Sequence, residues 1–263
     1  MLTTEFHYQA DNMNLSAYRA SAAEKQRTND LVRLFPKSGQ LALDIGARDG
    51  HFSLLLAECF DSVIALDLSL PEVEHPRVQC VQGNAAELPF DSRFVDFVLC
   101  AEVLEHIPTD MLATVCREIE RVSNDKIIIG VPYRQDIRIG RTTCGGCGKI
   151  NPPWGHVNCF DESRIAALFP ACDIDALSFV GTTTKQTNAL SAKLMDWAGN
   201  PYGTYQQQEP CIHCGAALMP PPKRDLAQKL ATKAALWTKS ASHILAKPRG
   251  KWMHVLLSKR AEA

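Results

Sequence analysis

Residues 41–60 read LALDIGARDGHFSLLLAECF: a short apolar run, a turn punctuated by Gly46 and Gly50, then an apolar stretch of helical period. Strand, glycine turn and helix in that order bring backbone close to a ligand at the carboxyl end of a strand in an α/β sheet. Gly46 can take backbone angles closed to other residues, and Gly50 lets the helix start close to the strand. Asp67 closes the next apolar run, VIALDLS at 63–69, about 20 residues beyond the turn. A carboxylate there can accept hydrogen bonds from both hydroxyls of a ribose.

Such an acid fits a nicotinamide dinucleotide as well as an adenosyl cofactor, so the turn itself must separate them. A dinucleotide fingerprint runs G-x-G-x-x-G, with pyrophosphate on the helix N-terminus. Here the spacing is Gly46-x-x-x-Gly50, and Asp44 precedes it. A carboxylate at that strand end attracts a cationic amino-acid group and repels a pyrophosphate, which favours S-adenosylmethionine.

Outward from this segment, apolar runs at 41–45, 62–66, 78–81, 94–100 and 126–131 alternate with helical stretches at 51–60 and 111–122. That alternation predicts a parallel sheet covered on both faces. A polar helix over 21–35, stopped by Pro36, precedes it. After Pro132 the pattern is broken by Gly, Pro and Cys, then resumes as a helix over 162–169 and a strand over 174–181. A second polar interruption covers 182–222. A long helix follows over 225–246, with Leu226, Leu230, Ala234, Trp237, Ala241 and Leu245 as an apolar stripe opposite Lys229 and Lys233, and a last strand spans 252–257. The expected organisation is an N-terminal helical cap (1–39) and one domain (40–263). Two insertions, 133–160 and 182–222, leave that domain from the same half.

The chain has 263 residues, 46% of them hydrophobic, enough for a sizeable core. With 22% charged residues and a net charge of -1, it is neither a disordered chain nor a basic nucleic-acid tail. The opening MLTTEFHYQADNMNL lacks the cationic start and apolar run of a signal peptide. No apolar stretch nears the roughly 20 residues that cross a bilayer. These features predict a soluble, cytoplasmic protein whose ten cysteines are reduced. Cys59, Cys80, Cys100, Cys116 and Cys172 sit singly among apolar neighbours and read as core thiols.

Four segments then fall in sequence: LDIGARDG (43–50), IALDLS (64–69), VQGNAAELPF (81–90) and VDFVLCAEVLEHIP (95–108). Together they resemble the successive motifs of the class I S-adenosylmethionine-dependent methyltransferases (EC 2.1.1), especially the small-molecule and quinone branch with a VLEHI segment. The resemblance covers about residues 40–131 and returns at the final strand. It implies a Rossmann-like, mostly parallel seven-stranded sheet with an antiparallel last strand. Carried over by position, it implies that Asp44, Gly46, Ala47 and Gly50 hold the methionine moiety. Asp67 would bind the ribose and Leu68 would lie against the adenine. Asn84 and Ala85 would meet the adenine edge, and Ala101 would face the methionine end. Arg48 and Asn84 depart from the Gly and Asp that many members carry. His106, on the loop that borders the acceptor in such proteins, is a candidate general base with an ordinary pKa near 6.5; the alternative is a histidine that packs or caps the loop. Glu102 and Glu105 would orient the acceptor or face solvent.

CGGCGK at 144–149 and CIHCGA at 211–216 are two C-x-x-C-G knuckles. A two-residue gap turns both sulfurs of a pair onto one ion, and the following glycine allows the tight turn. Cys144, Cys147, Cys211 and Cys214 therefore predict a closed tetrahedral thiolate shell for structural Zn(II). Such a site would tie the two insertions into a lid, with His156 lining the acceptor cleft or packing on Trp154. Three functions stay open. The first is methyl transfer to a small-molecule, sugar or lipid-linked acceptor. The second is an RNA or protein methyltransferase in which the lid and the basic C-terminal helix hold a macromolecule. The third is a non-catalytic module that keeps the cofactor fold. The near-neutral charge and an aromatic content of 7% weigh against nucleic acid. The lysines of the long helix also suit peripheral contact with an anionic membrane.

Overall fold

The computed structural model describes residues 19–244 and 246–260. The first half of the expected N-terminal cap, and Ala241 and Leu245 of the C-terminal stripe, lie outside what is described of backbone or side chain. Helix α1 (Ala22–Leu34) begins at Ser21, whose hydroxyl accepts from the Glu24 N–H at 3.2 Å and so satisfies one orphan donor of the first turn. It leads into β1 (Gly39–Ile45), α2 (His51–Leu56), β2 (Phe60–Asp67), β3 (Val78–Gln82), β4 (Val95–Ala101), α3 (Leu112–Val122) and β5 (Ser123–Pro132).

The later half adds a two-stranded ribbon, β6 (Thr142–Thr143) and β7 (Ile150–Asn151), then α4 (Glu162–Leu168) and β8 (Cys172–Val180). Helices α5 (Ala189–Trp197) and α6 (Leu226–Ile244) and strand β9 (Trp252–Lys259) complete it. One seven-stranded sheet runs in the order β3-β2-β1-β4-β5-β9-β8. Its first five strands are parallel, and β9 runs antiparallel to both β5 and β8. This is the predicted sheet with its antiparallel last strand.

Alternation along the strands divides the core into two layers. Leu43, Ile45, Ile64, Val98, Cys100, Ile127 and Ile129 face one side, under Val115, Ile119 and Ile165 of α3 and α4. Ala42, Val63, Phe97, Leu99 and Ile128 face the other, under Leu31, Phe35, Phe52 and Leu56 of α1 and α2. Both faces are dry, as near-continuous apolar strands require. Cys100, Cys116 and Cys172 are buried as expected of core thiols, while Cys59 and Cys80 are half-buried.

Three expectations need correction. The helix foreseen over 51–60 ends at Leu56, because Phe60 enters the sheet opposite Gly39; a Cβ on Gly39 would lie 2.2 Å from the Phe60 ring. The second interruption contains α5, capped by Asn188, whose side chain accepts from the Ser191 N–H at 2.7 Å. The long helix packs on α5 at Ala235 and Thr238, whose carbonyls accept from Ser191 Oγ at 2.7 Å and Asn188 Nδ2 at 2.9 Å. The apolar stripe therefore points outward, with Leu226, Leu230 and Trp237 exposed. Lys233, three and four residues from Leu230 and Trp237, shares that face and does not oppose it. Among the described residues, no helix is long and apolar enough to cross a membrane.

Candidate active site

The carboxyl ends of β1, β2 and β4 lie side by side, with Ile45 paired to Leu66 and to Cys100. Asp44 is buried at the end of β1, and Ser53 Oγ, in the first turn of α2, donates to its Oδ2 at 2.6 Å. Burial raises Asp44 to about 7 against the pull of Ser53 and with a push from Asp67, because desolvation disfavours the charged form. A buried carboxylate so poorly compensated favours an incoming cation.

The turn after β1 is anchored by the Gly46 and Ala47 N–H groups, which both donate to the Leu66 carbonyl, at 2.8 and 3.1 Å. Gly46 (φ 78°) and Gly50 (φ 71°) are left-handed. A Cβ on Gly46 would lie 2.4 Å from Val103 Cγ2, and one on Gly50 2.1 Å from Val73 Cγ2, so both positions need glycine on two counts. Arg48 is also left-handed, at φ 48°. That conformation turns its N–H onto Asp67 Oδ2 at 3.0 Å, leaving Asp67 half-exposed at the end of β2. Leu68 is exposed beside it, Ala85 is buried, and Asn84 is exposed with its Oδ1 accepting from the Ala86 N–H at 2.9 Å. The expected cofactor residues thus gather at adjoining strand ends. Ser53 and the Arg48 N–H are contributors that the reading of the sequence passed over. Ser53 sits three residues after Gly50, a helical spacing that could have flagged it.

The loop after β4 forms the other wall. Glu102 adopts φ 58° and accepts from Trp252 Nε1 at 3.1 Å. Glu105 does not face solvent: it is fully buried, and among the described residues neither carboxylate oxygen has a hydrogen-bond partner. Burial first, and the Glu102 charge second, hold Glu105 well above the ordinary carboxylate range. His106 is exposed as a residue, yet the protein packed round its ring and the Arg48 charge lower it to about 4. His156 packs perpendicular to it, with ring centroids 4.6 Å apart, and only obliquely on Trp154 at 6.0 Å. Its Nδ1 meets Gln135 Oε1 at 2.7 Å. His106 therefore stands at the cofactor end, but as a neutral imidazole that is a weaker base than an ordinary histidine.

The two insertions meet over this wall. The Trp154 N–H donates to Gln207 Oε1 at 2.7 Å, and a Cβ on Gly155 would touch both His106 Nδ1 and Glu209 Cγ. Two residues past Glu209 begins the second knuckle. Cys144, Cys147, Cys211 and Cys214 converge, with Cys144 Sγ–Cys214 Sγ and Cys147 Sγ–Cys211 Sγ both at 3.6 Å. Four sulfurs about 2.3 Å from a tetrahedral Zn(II) stand about 3.8 Å apart, and a disulfide needs about 2.05 Å. Backbone amides of Cys147 and Gly146 reach Cys144, and those of His213 and Cys214 reach Cys211. The donor set suits a zinc ion. Around it, the Ile212 N–H donates to Asn151 Oδ1 at 2.9 Å, and the Thr143 N–H donates to the Tyr205 hydroxyl at 3.1 Å, so the insertions are tied by protein bonds as well.

Comparison with known proteins agrees with this geometry. Residues 43–126 match the sequence profile of a methyltransferase domain. A Mycobacterium tuberculosis protein named a probable S-adenosylmethionine-dependent methyltransferase is 33% identical over 128 residues, covering 46% of this chain and 44% of that protein. The demethylmenaquinone methyltransferase of Oceanobacillus iheyensis is 29% identical over 125 residues, covering 43% and 51%. The matches therefore span about half the length of these curated relatives, or less. In three dimensions, a Burkholderia thailandensis 1,6-didemethyltoxoflavin-N1-methyltransferase superposes with TM-score 0.51 at 14% identity, covering 93% of this chain and 81% of that one. Residues 43–126 are thus similar to methyltransferase domains, and they are set in a seven-stranded sheet with the fold of the solved methyltransferase.

Proposed function

We propose that this protein transfers a methyl group from S-adenosylmethionine to a small-molecule, sugar or lipid-linked acceptor. The observation that carries the reading is Asp44: a buried carboxylate at the end of β1, beside a turn that requires glycine at positions 46 and 50, with Asp67 at the neighbouring strand end. Asp44 would take the methionine ammonium, with the backbone at Gly46, Ala47 and Gly50 lining that end. Asp67, already oriented by the Arg48 N–H, would accept from the ribose hydroxyls. Leu68, Asn84 and Ala85 would border the adenine, and Ala101 the methionine chain. The bound cofactor supplies an electrophilic methyl on sulfur, and the protein's part is to align an acceptor with it in a site shielded from water.

The lid contacts favour an enclosed acceptor over a macromolecule. The first insertion reaches the second through Trp154 and Gln207, next to His106. Zn(II) in the four-cysteine shell would hold this lid in shape, with no open position for chemistry. The exposed lysines of α6 lie among leucines and a tryptophan, not in a polar basic groove, which supports neither RNA nor peptide as the acceptor. The demethylmenaquinone methyltransferase relative adds a quinone-type acceptor to the candidates, as an analogy.

The test is formation of S-adenosylhomocysteine with a panel of quinols, glycosides and polyprenyl-linked sugars, beside transfer RNA and peptide pools. Turnover confined to the first group supports the reading. Turnover with RNA or peptide alone would replace it with the macromolecular alternative.

A further inference from the structure

Glu105 is completely buried; among the described residues its two carboxylate oxygens have no hydrogen-bond partner, and Glu102 Oε1, in the same loop, is buried and equally without one. Unpaired buried carboxylates are costly and rare unless something meets them. The charges of Glu102 and Arg27 act on Glu105, and two imidazoles stand near it. One ligand atom each from Glu105, His106 and His156 lie within 4.8 Å of one another. Tetrahedral ligands of an ion bound at about 2.1 Å stand about 3.4 Å apart, so the three atoms need to close by no more than about 1.4 Å to share one ion.

We propose that Glu105, His106 and His156 form a second metal site, for a divalent first-row cation, at the wall between the cofactor turn and the lid. It is separate from the four-cysteine shell. Three further observations fit it. Gln135 Oε1 fixes His156 by its Nδ1 at 2.7 Å, leaving Nε2 as the lone-pair nitrogen; metal-binding histidines are held in this way by a carbonyl oxygen on the far nitrogen. The mixed donor set of two imidazoles and one carboxylate suits Mn(II), Fe(II) or Zn(II) and leaves coordination positions open. Third, the site is assembled from both sides of the cleft, with Glu105 and His106 from the β4 loop and His156 from the first insertion. The Val157 N–H donating to the Glu105 carbonyl at 2.8 Å fastens the two together.

The use of such a site rests on the methyltransferase reading. An open position beside the sulfonium would bind an acceptor hydroxyl and lower its pKa. The proton leaves to solvent, an oxygen lone pair forms the O–CH3 bond, and the S–CH3 bond breaks to leave the neutral thioether. The acceptor class is then a hydroxyl compound, and the ion would activate its oxygen.

Mn(II) is the probe, because hard Mn(II) has little affinity for the thiolate shell. The zinc-containing protein is titrated with Mn(II) and the free six-line electron paramagnetic resonance signal is followed, in wild type, Glu105→Gln and His156→Gln. S-adenosylmethionine binding and thermal unfolding are measured on the same samples. The proposal expects one saturable Mn(II) per chain in wild type, and at least tenfold weaker binding in either variant while cofactor binding persists. Absence of saturable Mn(II) binding in folded wild type overturns it, as does undiminished binding in both variants. If Mn(II) binds as expected but S-adenosylmethionine does not, the metal site stands and the methyltransferase reading fails instead.

Discussion

Ser53 and Asp44 share a hydrogen bond of 2.6 Å across the start of α2, and both are buried. That single bond does not offset the burial of the carboxylate, which stays near pKa 7. The site is therefore poised to exchange a proton for a cationic ligand, and two consequences follow for pH.

Asp44 must ionise to hold an ammonium group. Affinity for S-adenosylmethionine should be level just above pH 7 and fall about tenfold per unit below it, as protonation competes. Asp44→Asn should weaken binding at pH 7.5 by at least roughly tenfold and remove the pH dependence between 5.5 and 7.5. Calorimetry across that range checks both.

The same substitution should stabilise the fold. Asp44 binds its proton more tightly folded than unfolded. Its favourable contribution is therefore complete below about pH 4 and is lost as pH rises through about 7. A shift of roughly three units corresponds to at most about 4 kcal/mol. Urea denaturation should show Asp44→Asn gaining on wild type between pH 5 and pH 8, with lower activity and higher stability arising from one residue. An unchanged gap would remove the buried-charge explanation.

Gly46→Ala combines left-handed backbone with a Cβ 2.4 Å from Val103, and should cost about 2–4 kcal/mol of stability. Gly145→Ala, with nothing within 4 Å of the added methyl, serves as the control and should change stability by less than about 1 kcal/mol. Chemical denaturation of the pair compares them directly.

Zinc content by elemental analysis should fall by one equivalent from wild type to Cys144→Ser/Cys211→Ser. The sheet core does not depend on those sulfurs. Circular dichroism should therefore keep its α/β signature, while limited proteolysis cuts newly within 138–160 and 200–222. Loss of the whole fold would show that the cysteines do more than shape the lid.

His106 and His156 are lowered to about 4 and about 3, each chiefly by burial. With no divalent ion added, their ring resonances should hold still from pH 8 to about 5.5. A titration near the ordinary 6.5 would show that the rings are open to water.

The cofactor half was legible because its signals are local. Gly46, Gly50, Asp44 and Asp67 are spaced by the geometry of one strand-turn-helix-strand unit, and the apolar runs of β1 to β5 are continuous because both faces are covered. The four cysteines were legible for the same reason: each knuckle is complete within four residues. What escaped the sequence depends on contacts between distant segments. Phe60 continues the apolar pattern of α2, and only its pairing with Gly39 makes it strand. The stripe on α6 reads as a buried face, but α5, concealed in a polar stretch, takes the opposite side of that helix. Glu105 in VLEHI reads as an acid that orients the acceptor or faces solvent; in the structure it is buried, beside a loop whose Val157 and Asn158 N–H groups donate to its carbonyl.

The most direct test of the account is calorimetric titration of the zinc-containing protein with S-adenosylmethionine and, separately, with NADH. The account predicts saturable one-site binding of S-adenosylmethionine and no heat of binding for NADH. Binding of NADH, or of neither ligand by folded protein, would contradict it.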